Sequence, residues 1–412
     1  MTTPSLVEHF FRHEYARVVA SLTRRLGTEH LEVIEDGVQS ALLAALTAWT
    51  RRGLPDNPSA WVYQAARNQV LGELRSRARR TRILDRHDGE LSPPPAPGAD
   101  QSVPPNTDDD LVRMLFVCCD QSVPEQSRLV MALKTLCGFS VGEIATRLFV
   151  SEANVYKRLA RARSKLRERA AALDALSNDD FVERLGSVHA VLYLVFTEGY
   201  FSSHATLAIR RELCDDAIRL TKLLVAHRCG QTPATAALLA LMYLHAARLE
   251  ARTDAGGLML LLEEQDRSQW NQQQIAQGLD WLAHSAEGDT LTRYHAEASI
   301  AAEHCLAPSF AETRWDAIAE SYALLARIEP SPVHRLNWAM AIAEAQSAQA
   351  ALQFLEQQAP PAWLEGTFVL AAVRADLFRR CGAPAASEHA DQALSLAPNE
   401  ATRQALRRRL ES

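Results

Sequence analysis

Apolar residues recur at helical spacing through most of the chain. In VIEDGVQSALLAALTAW, residues 33–49, positions 34, 38, 41, 42, 45, 46 and 49 form one stripe, while Glu35, Asp36 and Gln39 fall on the other face. The next segment, PDNPSAWVYQAARNQVLGELRSRARR, predicts a helix introduced by Pro58 and Ser59 and beginning near Ala60. A third pattern, GEIATRLFVSEANVYKRLARARSKLRER at 142–169, predicts a helix, a short break and a longer helix. Ala145 sits where the first of these must approach the second, and Val155 where the second packs back. Ser151 is the expected N-cap of the longer helix. On a wheel turning about 100° per residue, Val155, Leu159, Ala162 and Leu166 gather on one side. Asn154, Lys157, Arg158, Arg161 and Lys165 gather on another. The turn holds Phe149 where glycine is usual, which predicts a reshaped turn, because left-handed backbone is costly for Phe.

Beyond residue 172 the chain is rich in Ala and Leu and punctuated by prolines. LLARIEPSP and ALSLAPNE resemble each other, and their prolines, Pro330 and Pro398, are 68 residues apart, twice 34. That is the tetratricopeptide period. The template puts Leu370, Leu377, Ala386 and Ala393 at packing positions and predicts degenerate helical-hairpin repeats over about 312–405. Sparse β-branched residues complete the case for an all-α fold.

Composition adds two points. The seven cysteines show no CxxC pair and are expected as reduced, mostly buried thiols. His227 and Cys229 alone do not make a ligand set, so no metal or cofactor is expected. Glu198-Gly199-Tyr200 should interrupt an apolar helix, with Ser202, Ser203 and His204 following. No G-x-S-x-G elbow accompanies them, so no enzyme is expected. Nothing in the chain predicts a signal peptide or a membrane span.

Charge is unevenly spread. The net charge is -6, yet residues 1–80 carry 11 basic and 8 acidic side chains, net +3, and residues 111–170 carry 11 and 5, net +6. Residues 81–110 carry 2 and 7, net -5, with six prolines among 87–110, and read as an extended linker. Residues 171–412 carry 20 and 30, net -10. An anionic partner for the first part follows from this separation. The aromatic and amide side chains Trp61, Gln64 and Asn68, with Arg67 and Arg75, suit unpaired bases, which need stacking, hydrogen bonding and phosphate neutralisation. The basic face of 151–165 suits a major groove.

Together, EDGVQSALLAALTAW, then WVYQAARNQVLGELR, a Pro-rich linker, and YKRLARARSKLRE resemble extracytoplasmic-function RNA polymerase sigma factors of the sigma-70 family. The extension, and LVRMLFVCCDQSVPEQSRLVMALK with its Cys118-Cys119 pair, resemble the subgroup with a long C-terminal tetratricopeptide-like part. The resemblance implies a sigma region 2-like domain at 1–80, a linker at 81–110, a region 4-like helix-turn-helix at 111–172, a helical extension at 173–311 and helical repeats at 312–412. It implies that Asp36 and Gln39 meet the clamp helices of the polymerase largest subunit. Trp61, Gln64, Arg67, Asn68 and Arg75 would then serve the −10 element. Ser151, Glu152, Asn154, Lys157, Arg158, Arg161 and Lys165 would serve the −35 element. The implied partners are polymerase core, promoter DNA and a protein on the extension, with no membrane, in the cytoplasm. The competing reading is a helix-turn-helix regulator that binds operator DNA through the same helix, carries a repeat-based interaction domain and never replaces the sigma subunit.

Overall fold

The computed structural model describes residues 3–84, 107–148, 150–169, 176–200, 210–254, 259–397 and 400–411. Phe149, most of the proline-rich segment, and Ser202, Ser203 and His204 lie outside the described residues. Among the described residues the regular structure is helical, with one isolated bridge between Thr253 and Met259. The chain divides into two compact units, residues 1–195 and 196–412.

The first unit begins with α1 (Thr3–Leu26), α2 (Leu31–Arg52) and α3 (Pro58–Leu84). The stripe predicted on α2 is confirmed at Ile34, Val38, Ala41 and Ala45, all fully buried. Leu46, assigned to the stripe, is 43% exposed. Helix α2 meets α3 at Gly37, where a Cβ would lie 2.5 Å from a Val70 methyl. Only glycine permits that approach. Helix α3 starts two residues earlier than expected. The Asn57 side chain accepts the Ala60 N–H at 3.0 Å, so Asn57 caps the helix and Pro58 occupies its first turn.

Next come α4 (Thr107–Cys118), α5 (Glu125–Thr135), α6 (Val141–Leu148), α7 (Glu152–Arg169) and α8 (Asn178–Tyr200), whose first part completes this unit. Ser140 and Glu143 form a capping box on α6: the Glu143 N–H donates to Ser140 Oγ at 3.2 Å and the Ser140 N–H to Glu143 Oε2 at 2.7 Å. Phe116, Leu133, Phe139 and Ile144 fill the core, and Cys118, Cys119 and Cys137 are buried with them. Burial pushes the Cys119 thiol up to about 12, so it is inert as a nucleophile at neutral pH. Cys381 departs from the expectation for the thiols and is exposed.

Helix α8 runs through Glu198-Gly199 and ends at Tyr200, within the triplet expected to interrupt it; residues 201–209 lie outside the described residues. Gly199 also serves packing. A Cβ there would lie 2.8 Å from the Arg210 carbonyl, from Leu213 and from Cys214.

The second unit continues with α9 (Arg211–Ala226), α10 (Pro233–Ala246), α11 (Gln272–Ser285), α12 (Arg293–Leu306), α13 (Trp315–Ile328), α14 (Pro332–Ala345), α15 (Ala348–Glu356), α16 (Ala362–Glu365), α17 (Phe368–Arg380), α18 (Ala385–Ser395) and α19 (Glu400–Glu411). Most helices pack on their neighbours in sequence, with α10 also against α12. That is how serially stacked helices bury apolar faces too broad for one neighbour. Leu370, Leu377 and Ala393 are buried, whereas Ala386 is half-buried.

Candidate nucleic-acid interface

Helix α7 is positioned by its apolar side. Val155, Leu159, Ala162 and Leu166 are buried against the unit, Val155 and Ala162 fully. Each buried Val or Leu contributes about 1.5–3 kcal/mol, enough to fix the helix's rotation about its own axis. Ser151 caps it, accepting the Asn154 N–H at 3.3 Å. The remaining surface is what the wheel predicted. Ser151, Glu152, Asn154, Lys157 and Arg161 are exposed, and Arg158 and Lys165 are half-buried. Lys165 Nζ lies 2.8 Å from Glu168, whose carboxyl is held below its usual range chiefly by that hydrogen bond. Tyr156, absent from the predicted set, is 59% exposed beside them. Its place between Asn154 and Lys157 was the available signal.

A second group lies on α3. Trp61, Gln64 and Asn68 line one open groove of about 520 Å³ with Pro55, Asn57, Ala60 and Ala65. The indole of Trp61 meets Trp49 edge-on at 5.8 Å, and Trp49 stacks on Phe11 at 5.8 Å. Trp61 is therefore anchored on one side and open on the other. Tyr63, two residues on, is buried, with Arg25 5.8 Å from its ring centre. Arg67 is half-buried and Arg75 exposed, and neither lines the groove. Asp36 lines an adjoining groove of about 470 Å³ between α2 and α3, shared with Asn68, Gly72, Glu73 and Arg77. Gln39 is exposed outside it.

Glu35 overturns its sequence assignment. It was placed on the polar face with Asp36 and Gln39, yet it is 2% exposed. Its Oε1 accepts from Thr135 Oγ1 at 2.7 Å, and its Oε2 pairs with Arg163. Arg163 also reaches Glu32 at 3.2 Å. Burial by itself lowers the Arg163 guanidinium, but Glu35 outweighs it and the group sits above its ordinary range. Around this pair, burial lowers the Lys134 ammonium and raises the Tyr15 hydroxyl. Two more clasps join the same parts. Arg12 lies 4.5 Å from the Phe139 ring centre and 3.2 Å from Glu143. Arg24 reaches Asp109 at 3.1 Å and Asp110 at 2.6 Å. The α1–α3 group and the α4–α7 group thus form one closed unit, with α7 pinned to α2 through Arg163.

Residues 11–80 match Sigma-70 region 2, and residues 113–166 match Sigma-70, region 4. Residues 184–286 match a family of unknown function (DUF6596). An uncharacterized protein of Rhizobium meliloti (strain 1021) is 33% identical over 379 residues, covering 90% of this chain and 87% of its own. No solved structure matches.

Proposed function

Because the chain belongs to the sigma-70 family of RNA polymerase sigma factors, with a C-terminal extension, we propose that it directs core polymerase to promoters of the extracytoplasmic-function type. Region 2 at 1–80 docks on the largest-subunit clamp helices through Asp36 and Gln39. The Trp61, Gln64 and Asn68 groove, with Arg67 and Arg75, captures unpaired bases of the −10 element, and capture out of the stack favours melting. Region 4 at 111–172 lays α7 in the major groove of the −35 element. Ser151, Glu152, Asn154 and Arg158 reach bases, and Lys157, Arg161 and Lys165 hold phosphates. The segment 81–110 links the two. Phosphodiester chemistry belongs to the polymerase, so no catalytic residue is required here. Residues 173–412, acidic and tetratricopeptide-like in their repeats, regulate activity or assembly through a protein partner. The reading places the protein in the cytoplasm, where its polymerase works. Among the described residues no helix is long and apolar enough to cross a membrane.

The observation that carries the reading is the pairing of two matched regions, in order, each with an open polar surface on a buried apolar base. Reconstitution with core polymerase on supercoiled template tests it. The protein should select discrete start sites. Binding to duplex DNA alone, with no initiation, would instead establish an operator-binding regulator. Comparing the full chain with residues 1–195 tests the extension: identical activity and promoter choice would remove its regulatory role.

A further inference from the structure

The second unit gathers cationic side chains where α10, the turn after it, and α12 converge. Arg248 is 7% exposed. Its guanidinium lies 5.2 Å from the Trp270 ring centre, and that of Arg267 lies 4.5 Å from the same ring. Arg252 sits 3.6 Å from the Tyr200 ring centre, and His245 4.7 Å from that ring. Arg267 donates Nη1 to the His304 and Ala307 carbonyls, the latter at 2.9 Å, which ties it to the end of α12.

Neither Arg248 nor Arg267 pairs with a carboxylate among the described residues. Arg248 Nε, Arg267 Nη2, Trp270 Nε1, His245 Nδ1 and His304 Nδ1 are all buried without a hydrogen-bond partner. An aromatic face partly compensates a guanidinium but takes none of its in-plane N–H donors. One buried and one half-buried guanidinium group on one ring, without counter-charge, are costly to assemble. The field there is positive enough to act on its neighbours. Burial, then Arg248 and Arg267, lowers the His304 imidazole to about 3. Burial, then Arg248 and Arg252, lowers His245 well below its ordinary value.

We propose that this part of the extension binds a small phosphate-bearing ligand, held by Arg248, Arg267 and the Trp270 N–H. Guanidinium forks match tetrahedral oxyanions in bidentate fashion. Two uncompensated cations match a dianion better than a single carboxylate. The site stands independently of promoter recognition, and its test needs no polymerase.

The experiment is a melting titration of the full chain with inorganic phosphate, sulfate or acetate, in chloride buffer at matched ionic strength. Phosphate and sulfate should raise the second unit's Tm saturably, by about 5–10 °C at a hundredfold excess over Kd. Acetate should not. Arg248→Met keeps an apolar stem against Trp270 and removes one cation. It should lose the phosphate shift and melt no lower than wild type in chloride alone. Arg267→Gln should also lose the shift, which keeps the test decisive if either variant folds poorly. A variant that melts lower in chloride but keeps the full shift, no shift in wild type, or an equal response to acetate would overturn the proposal.

Discussion

A carboxylate as enclosed as Glu35 is stable only while Arg163 and Thr135 answer it. Removing one member of such a pair strands the other charge. Arg163→Ala should destabilise the first unit by about 3–5 kcal/mol in denaturant unfolding. The double change Glu35→Gln, Arg163→Met removes both charges and should cost clearly less. Equal losses would show that packing, not charge pairing, holds α7 to α2. Glu35 could not be read from sequence, because its partner lies 128 residues away. Local periodicity put it on a polar face, and a tertiary contact closed that face. The Arg248 and Arg267 cluster was invisible for the same reason: each arginine alone reads as surface.

Elements whose rotation is fixed by their own period were the most legible. The four apolar positions of α7 are buried as spaced, and its predicted basic side chains remain exposed or half-buried. Its outer surface yields a prediction: Lys157→Ala should weaken DNA binding uniformly across sequences and reduce the salt slope by about 1. Arg158→Ala should relax discrimination at one base pair by about 1–3 kcal/mol. A matched and a substituted −35 duplex, titrated at several salt concentrations, separate the two effects. Where a neighbouring element decides, the sequence says less. Gly199 was read only as part of an interruption at Glu198-Gly199-Tyr200, whereas in the fold it also admits the start of α9. Helices α10 and α12 carry His245 and His304, both held neutral in the fold. Their folded values lie below that of free histidine, His304 at about 3, so the unfolded chain binds more protons below about pH 6.5, for His304 down to about pH 3. Stability of the second unit should therefore fall as pH drops through that window. Each histidine adds a slope of up to about 1.4 kcal/mol per pH unit. His304→Gln should flatten the dependence seen in unfolding curves at pH 5 and 7, and an unchanged slope would exclude this source.

At the scale of the whole molecule, the charge count by segment was more informative than the net charge of -6. It separated a basic front from an acidic extension. What it could not give is the closed packing of the two sigma regions, which rests on Arg12, Arg24 and Arg163 reaching acidic or aromatic partners far along the chain. The all-α fold was legible in the abundance of Ala and Leu, the sparse β-branched residues and the helical apolar period of segments such as α2 and α7. The region 2 groove was legible in part: Trp61, Gln64 and Asn68 come together, while Arg67 and Arg75 lie outside it. The central claim is that this chain selects promoters for polymerase. Mapping transcript 5′ ends made by core enzyme and purified protein on supercoiled template tests it most directly. Discrete start sites that depend on the chain and fade with Arg158→Ala are predicted. Duplex binding without any initiation above core enzyme alone would contradict the account.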